Sequence, residues 1–268
     1  MQFFGYLASL LIGISLGLIG GGGSILTVPV MVYLFGVQPL AATSYSLFVV
    51  GSTSLVGAVQ NYKRGFVKIK TALLFGTSSI ITVFVTRKFL IPLVPTKIFS
   101  IGSFVITENL LTMVLFAVLM VLASLSMMHN KSNGNEASAH PHKINIPKLL
   151  LYGAGIGFVT GLLGAGGGFL LIPTLVLLVG IPIKEAIGTS LLIIALNSLI
   201  GFTGDLQNKG LNWRLMLTIT GLAISGIVIS NTLSKKIPSS KLKKGFGWFV
   251  LIMGIYIIIK ELFFTAGH

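Results

Sequence analysis

Four consecutive glycines, Gly20–Gly23, stand inside an apolar run, and a second cluster, Gly164-Ala165-Gly166-Gly167-Gly168, repeats the arrangement later in the chain. A helix interior disfavours such a cluster, because each glycine costs about 1 kcal/mol relative to alanine. Glycine does let a ligand come close to backbone N–H groups, and those at a helix start carry the positive end of its dipole. The chemistry such a turn supports is capture of a small anion without a basic side chain. Gly20, Gly21, Gly22, Gly23, Ser24, Gly164, Ala165, Gly166, Gly167 and Gly168 are therefore the candidate substrate-binding positions. A phosphate-binding P-loop does not fit, since no Gly-Lys-Ser/Thr follows either cluster.

Polar side chains recur just beyond the glycines. Ser44 and Ser46, with Thr189, Ser190 and Asn197, place hydroxyl and amide donors where they would complete the coordination of an oxyanion. The competing role is satisfaction of helix backbone or of neighbouring helices. The five acids are Glu108, Glu136, Glu185, Asp205 and Glu261. Glu108 fits a helix N-terminal acid, while Lys184-Glu185 and Lys260-Glu261 read as interfacial pairs. Asp205, closing a long apolar segment, is the candidate for proton or sodium coupling; a solvated loop acid is its competing role. There is no cysteine, and His129, His140, His142 and His268 lie in one polar loop and at the C-terminal residue. No catalytic group, metal site or cofactor is expected from this inventory, which counts against a membrane enzyme.

These residues belong to a duplicated chain. Gly17-Leu-Ile-Gly-Gly-Gly-Gly-Ser-Ile-Leu-Thr-Val-Pro29 aligns without a gap on Gly161-Leu-Leu-Gly-Ala-Gly-Gly-Gly-Phe-Leu-Leu-Ile-Pro173, an offset of 144. The same offset pairs Gly36 with Gly180, Ala42 with Ala186, Ser46 with Ser190, Thr53-Ser54 with Asn197-Ser198 and Gly57 with Gly201. One residue more pairs Gly65 with Gly210 and Gly76 with Gly221. Glycines four apart, Gly13 and Gly17, then Gly153, Gly157 and Gly161, suit close helix packing.

The elements that must position the clusters are membrane helices. Of 268 residues, 54% are hydrophobic and 9% charged, at a mean hydropathy of +0.97, whereas soluble domains carry about 25% charged residues. The net charge of +14 sits mainly between apolar runs, where it meets lipid headgroups rather than nucleic acid. The first residues, Met-Gln-Phe-Phe, lack a basic leader, so the N-terminal run reads as an uncleaved membrane segment. Residues 1–128 form a first membrane repeat, 129–148 a polar linker and 149–268 a second repeat.

Each repeat offers an apolar segment, a glycine cluster, a short apolar segment and three long helices. In the first they are Phe3–Ile19, Ser24–Phe35, Ala42–Gln60, Ile69–Ile91 and Ile101–Met128. In the second they are Ile146–Leu163, Gly168–Val179, Ala186–Gly204, Trp213–Leu233 and Gly245–Phe264. The segment after each cluster is too short to cross about 30 Å of hydrocarbon. If each cluster only kinks a spanning helix, the repeats run parallel and Lys plus Arg divide ten to nine between the faces. If each is the tip of a re-entrant hairpin, the repeats are inverted and the division is thirteen to six. The positive-inside rule favours the second: an all-α polytopic protein of inverted repeats in the cytoplasmic membrane, with both termini outside.

Two copies of Gly-Leu-(Ile/Leu)-Gly-(Gly/Ala)-Gly-Gly with a following proline, and Ala186-Ile-Gly-Thr-Ser190 downstream, resemble the TauE/SafE family of sulfite exporters. The likeness covers nearly the whole chain; the first repeat departs from it, with Thr43-Ser44-Tyr45-Ser46 where the second has Ile-Gly-Thr-Ser. The resemblance implies export or uptake of sulfite, organosulfonates or related small anions. The sequence is thus read as a secondary transporter with alternating access at a midplane site, a small anion and the lipid bilayer as partners, and a homo-oligomer left open. An anion channel, a membrane enzyme and a non-transporting scaffold are the rival classes.

Overall fold

The computed structural model of the chain describes residues 2–95, 97–101, 104–129, 146–206, 211–233 and 239–261. Most of the linker, with Glu136, His140 and His142, and His268 at the C-terminus, fall outside the described residues. Before the linker run α1 (Gln2–Ile19), α2 (Thr27–Phe35), α3 (Pro39–Lys63), α4 (Ile69–Val85) and α5 (Glu108–His129). After it run α6 (Ile146–Leu163), α7 (Gly168–Thr174), α8 (Ile183–Asp205), α9 (Trp213–Leu233) and α10 (Ser239–Lys260).

One expected helix begins later than its apolar run. Residues 101–107 do not extend α5; β1 (Lys97–Ile101) and β2 (Phe104–Thr107) pair antiparallel, with Ser100 opposite Val105 and Ile101 opposite Phe104. Lys-Ile-Phe-Ser-Ile and Phe-Val-Ile-Thr are rich in β-branched and aromatic residues and flank Gly102-Ser103, so hairpin chemistry prevails over the apolar count. The helical fold class otherwise stands.

Among the described residues six helical stretches are long and apolar enough to cross a membrane: Pro39–Lys63, Ile69–Leu93, Glu108–Leu125, Ile146–Leu163, Ile183–Asp205 and Trp213–Ser230. The apolar stretches Phe3–Ile19, Gly21–Phe35 and Gly247–Lys260 are shorter.

Close contacts give each helix its direction. On α1, Gly13 lies against Ala223 and Gly17 against Ile227 and Ser230, so α1 and α9 run parallel. On α6, Gly153 lies against Phe75 and Ser78, Gly157 against Ser79 and Gly161 against Thr86, so α6 and α4 run parallel. These five glycines are the four-apart set, and in each pair a methyl group would meet the neighbouring helix. By contrast, Gly51 meets Leu199, Gly57 meets Leu191 and Gly188 meets Asn61, so α3 and α8 run antiparallel. α3 and α8, which correspond at the 144-residue offset, thus point in opposite directions.

The segments after the glycine clusters return the chain to where it started. Gly23 packs on the Ile12–Leu16 stretch of α1, and Phe35 comes back beside Gly5 and Tyr6, the two rings 5.4 Å apart. In the second repeat α6 climbs along α4 from Phe75 to Thr86, and α8 climbs along it again from Lys68 to Arg87. The chain between them, α7 and the π turn Leu175–Val179, must therefore descend. Pro173 lies inside α7 and has no N–H for the preceding turn, a local reason for the wider turn that follows. Both returns end on a left-handed glycine, Gly36 at φ 69° and Gly180 at φ 71°.

Candidate functional site

The two glycine turns meet in the interior. Gly21 and Gly168 touch backbone to backbone, leaving no room for a β-carbon on either. The chain reverses at Gly20, φ 73°, and at Gly164, φ 67°, conformations that other residues rarely adopt. The second turn is the more contorted, with Gly166 and Gly167 also at positive φ. Gly22 and Gly23 lie in the 3-10 turn Gly21–Leu26 that leads into α2. All the candidate positions from Gly20 to Ser24 and from Gly164 to Gly168, Ala165 included, are buried.

Side chains close in around this contact from α3 and α8. A β-carbon on Gly20 would stand 3.3 Å from Ser190 Oγ, and one on Gly166 would stand 2.9 Å from Val50 and Ile194 and 3.1 Å from Ser198 Oγ. Ser190 Oγ donates to the Ile187 carbonyl at 2.9 Å and Ser24 Oγ to the Gly21 carbonyl at 2.7 Å. Ser46, Ser54 and Ser198 are buried, and their hydroxyls have no protein hydrogen-bond partner among the described residues. Ser54 and Ser198 are repeat mates, so one unpaired hydroxyl comes from each half.

Two further candidates have protein partners. Thr189 Oγ1 accepts the Lys68 N–H at 3.0 Å, which ties the start of α8 to the start of α4. Asn197 Nδ2 donates to Ser79 Oγ at 2.6 Å, while its Oδ1 has no partner among the described residues. Ser44 is buried on α3.

Asp205 is not a solvated loop acid. It is 3% exposed and pairs with Arg87, itself 1% exposed, at 3.0 Å through Nη1. The same Nη1 donates to Thr43 Oγ1 at 2.9 Å. Arg87 sits in a π turn, Thr86–Leu90, that continues α4, and Gly204 leaves space for its Cβ. Thr43 packs in turn on Gly164, so the guanidinium is one residue removed from the second glycine turn. Arg87 is not among the candidates of the sequence analysis, although the segment Ile69–Ile91 includes it. The signal available was its depth: five further residues, Phe89 to Leu93, continue the apolar span beyond it.

Two of the remaining acids also find definite partners. Glu185 bridges to Lys68 at 3.2 Å rather than serving only as the neighbour of Lys184. Tyr33 donates its hydroxyl to Glu261 Oε1 at 2.8 Å, and Lys260 lies 4.2 Å over the Tyr33 ring. Glu108 opens α5, as its place in the sequence suggested.

Similarity to known proteins agrees with this architecture. A "Probable membrane transporter protein" of Xylella fastidiosa is 29% identical over 256 residues, covering 92% of this chain and 91% of the relative. The "Probable membrane transporter protein YunE" of Bacillus subtilis is 27% identical, covering 92% of this chain and 93% of its own. The relative named YdhB from the same organism is 22% identical over 94% and 98%. No solved structure matches the chain. The family model of the sulfite exporter TauE/SafE matches residues 6–257, and with six apolar span-length helices among the described residues and doubled glycine turns the chain belongs to that family of membrane transporters.

Proposed function

We propose that the protein is a secondary transporter of small anions, with sulfite, organosulfonates and related sulfur oxyanions as the substrate class. The carrying observation is the buried meeting of two glycine turns, one from each half, at Gly21 and Gly168. Unpaired hydroxyls of Ser54 and Ser198 come from α3 and α8, one from each half. The buried acids among the described residues, Asp205 and Glu261, both have partners, so the chemistry beside the turns is neutral or positive and suits an anion.

Placed in a bilayer, the returning segments make each repeat an odd number of crossings, and the repeats invert. Residues 1–128 and 149–268 are then the two units, related about an axis in the membrane plane. Antiparallel α3 and α8 support this arrangement, as does the Lys68–Glu185 pair, which holds two basic loops on one face. That face, with thirteen of the nineteen basic residues, is cytoplasmic, and both termini are outside. Alternating access follows from rocking the two halves about the turn contact.

The test is uptake by proteoliposomes of purified protein over a panel of sulfite, thiosulfate, a short sulfonate and acetate, with and without imposed proton and sodium gradients. Saturable uptake of a sulfur oxyanion, accumulated against its gradient, is the expected result. Equal, non-saturating conductance for the whole panel identifies a channel, and fluxes equal to empty liposomes remove the transport reading.

A further inference from the structure

We propose that Arg87 is a direct ligand of the transported anion, taking two oxygens of one oxyanion centre on its Nε and Nη2 edge while Nη1 remains on Asp205 and Thr43. The proposal rests on the reading of the chain as an anion transporter and goes beyond the glycine turns in naming a charged side chain of the site.

The geometry carries it in three steps. Arg87 is 1% exposed, yet only one of its three nitrogens is engaged: Nη1 serves both Asp205, at 3.0 Å, and Thr43, at 2.9 Å. Nε and Nη2 are buried with no acceptor among the described residues. These are the two parallel N–H vectors of the guanidinium's side edge, the fork that matches paired oxygens of a carboxylate, sulfonate or sulfite. A pair built only to fasten helices would aim this fork at Asp205. Here the carboxylate takes the other nitrogen and leaves the fork unspent.

The second step is position. The guanidinium lies where α3, α4 and α8 converge, and Thr43, its partner on α3, packs against Gly164 of the second turn. An anion leaving the glycine contact toward this end of the bundle meets Arg87 next. The π turn at Thr86–Leu90 interrupts the regular spacing of α4 where Arg87 must face inward, and such widened turns recur at functional sites.

The third step is charge. A buried arginine alone would hold an anion too firmly to release it, and transport needs binding that is both favourable and reversible. Asp205 offsets one unit of charge, so the empty site is neutral and the loaded one carries only the charge of the anion itself. The arrangement is not repeated in the other half, where the position equivalent to Arg87 is Thr232. The oxyanion is therefore held more firmly on the Arg87 side of the glycine contact than on the opposite side.

Reconstituted wild type, Arg87→Lys and the neutral double variant Arg87→Met with Asp205→Leu are compared by saturable [35S]sulfite uptake. Folding is followed by size exclusion and thermal melting in detergent. The lysine keeps the charge opposite Asp205 but not the fork, so its KM for sulfite rises at least tenfold with a smaller change in maximal rate. The double variant removes both buried charges, remains folded and loses saturable uptake. Wild-type KM in either variant overturns the role of Arg87, and if the double variant does not fold, the lysine variant alone decides. If wild type itself transports none of sulfite, a short sulfonate or acetate, the transporter reading fails instead, and this proposal with it.

Discussion

The interfaces α4–α8 and α3–α9 correspond under the repeat, yet they are built from different chemistry. Between α4 and α8 runs a polar ladder: Lys68 to Glu185 at 3.2 Å, Asn197 to Ser79 at 2.6 Å and Arg87 to Asp205 at 3.0 Å. Between α3 and α9, and reaching Phe202 of α8, lies an aromatic cluster. Phe48 sits 5.2 Å from Phe202 and 5.9 Å from Trp213, and Tyr45 Oη accepts the Asn212 N–H at 2.6 Å. The backbone path needs only small residues where helices cross, and both interfaces satisfy it. Among the described residues the ion pairs lie in only the first of them, so the two corresponding interfaces differ in electrostatics.

The largest effect expected from breaking this contrast is at its buried charge. Asp205→Asn leaves the Arg87 guanidinium uncompensated and should cost about 3–5 kcal/mol, read as a large fall in melting temperature in detergent. Replacing both partners by apolar residues should recover most of that loss. Phe202→Ala, on the aromatic side, should cost about 3 kcal/mol, with the same loss at low and high salt. Asn197→Ala removes a buried hydrogen bond to Ser79 and should cost about 1–2 kcal/mol, with Ser79→Ala sub-additive in the double variant. Lys68→Ala should cost under about 1 kcal/mol and lose even that in high salt, because Lys68 is 50% and Glu185 23% exposed.

Much of the scaffold could be read from residue spacing, because membrane packing is written in local terms. Gly13, Gly17, Gly153, Gly157 and Gly161 mark helix crossings by their four-residue period alone, and the structure places each against α9 or α4. The doubled glycine runs likewise announce a break, since lipid admits unwound backbone only where protein or water covers it. What spacing does not encode is pairing at a distance. Arg87 and Asp205 are 118 residues apart, and neither has a charged repeat mate. Thr189 shows the same limit, because its repeat position says nothing of the Lys68 N–H, 121 residues away, that its Oγ1 accepts. The β1–β2 hairpin was hidden by apolar composition, which reads alike for a strand and a helix over so short a run.

The central claim is that each glycine turn sends its chain back to the face it came from, so that the halves invert. The protein has no cysteine, so single cysteines at positions 38, 64 and 184 report without background. Gln38 follows the first return, Arg64 follows α3 and Lys184 follows the second return, and all three are exposed. Labelling of intact cells with a membrane-impermeant maleimide should modify Gln38→Cys from outside, and Arg64→Cys and Lys184→Cys only after permeabilisation. Modification of positions 64 and 184 from opposite faces would contradict the returning turns and restore parallel repeats.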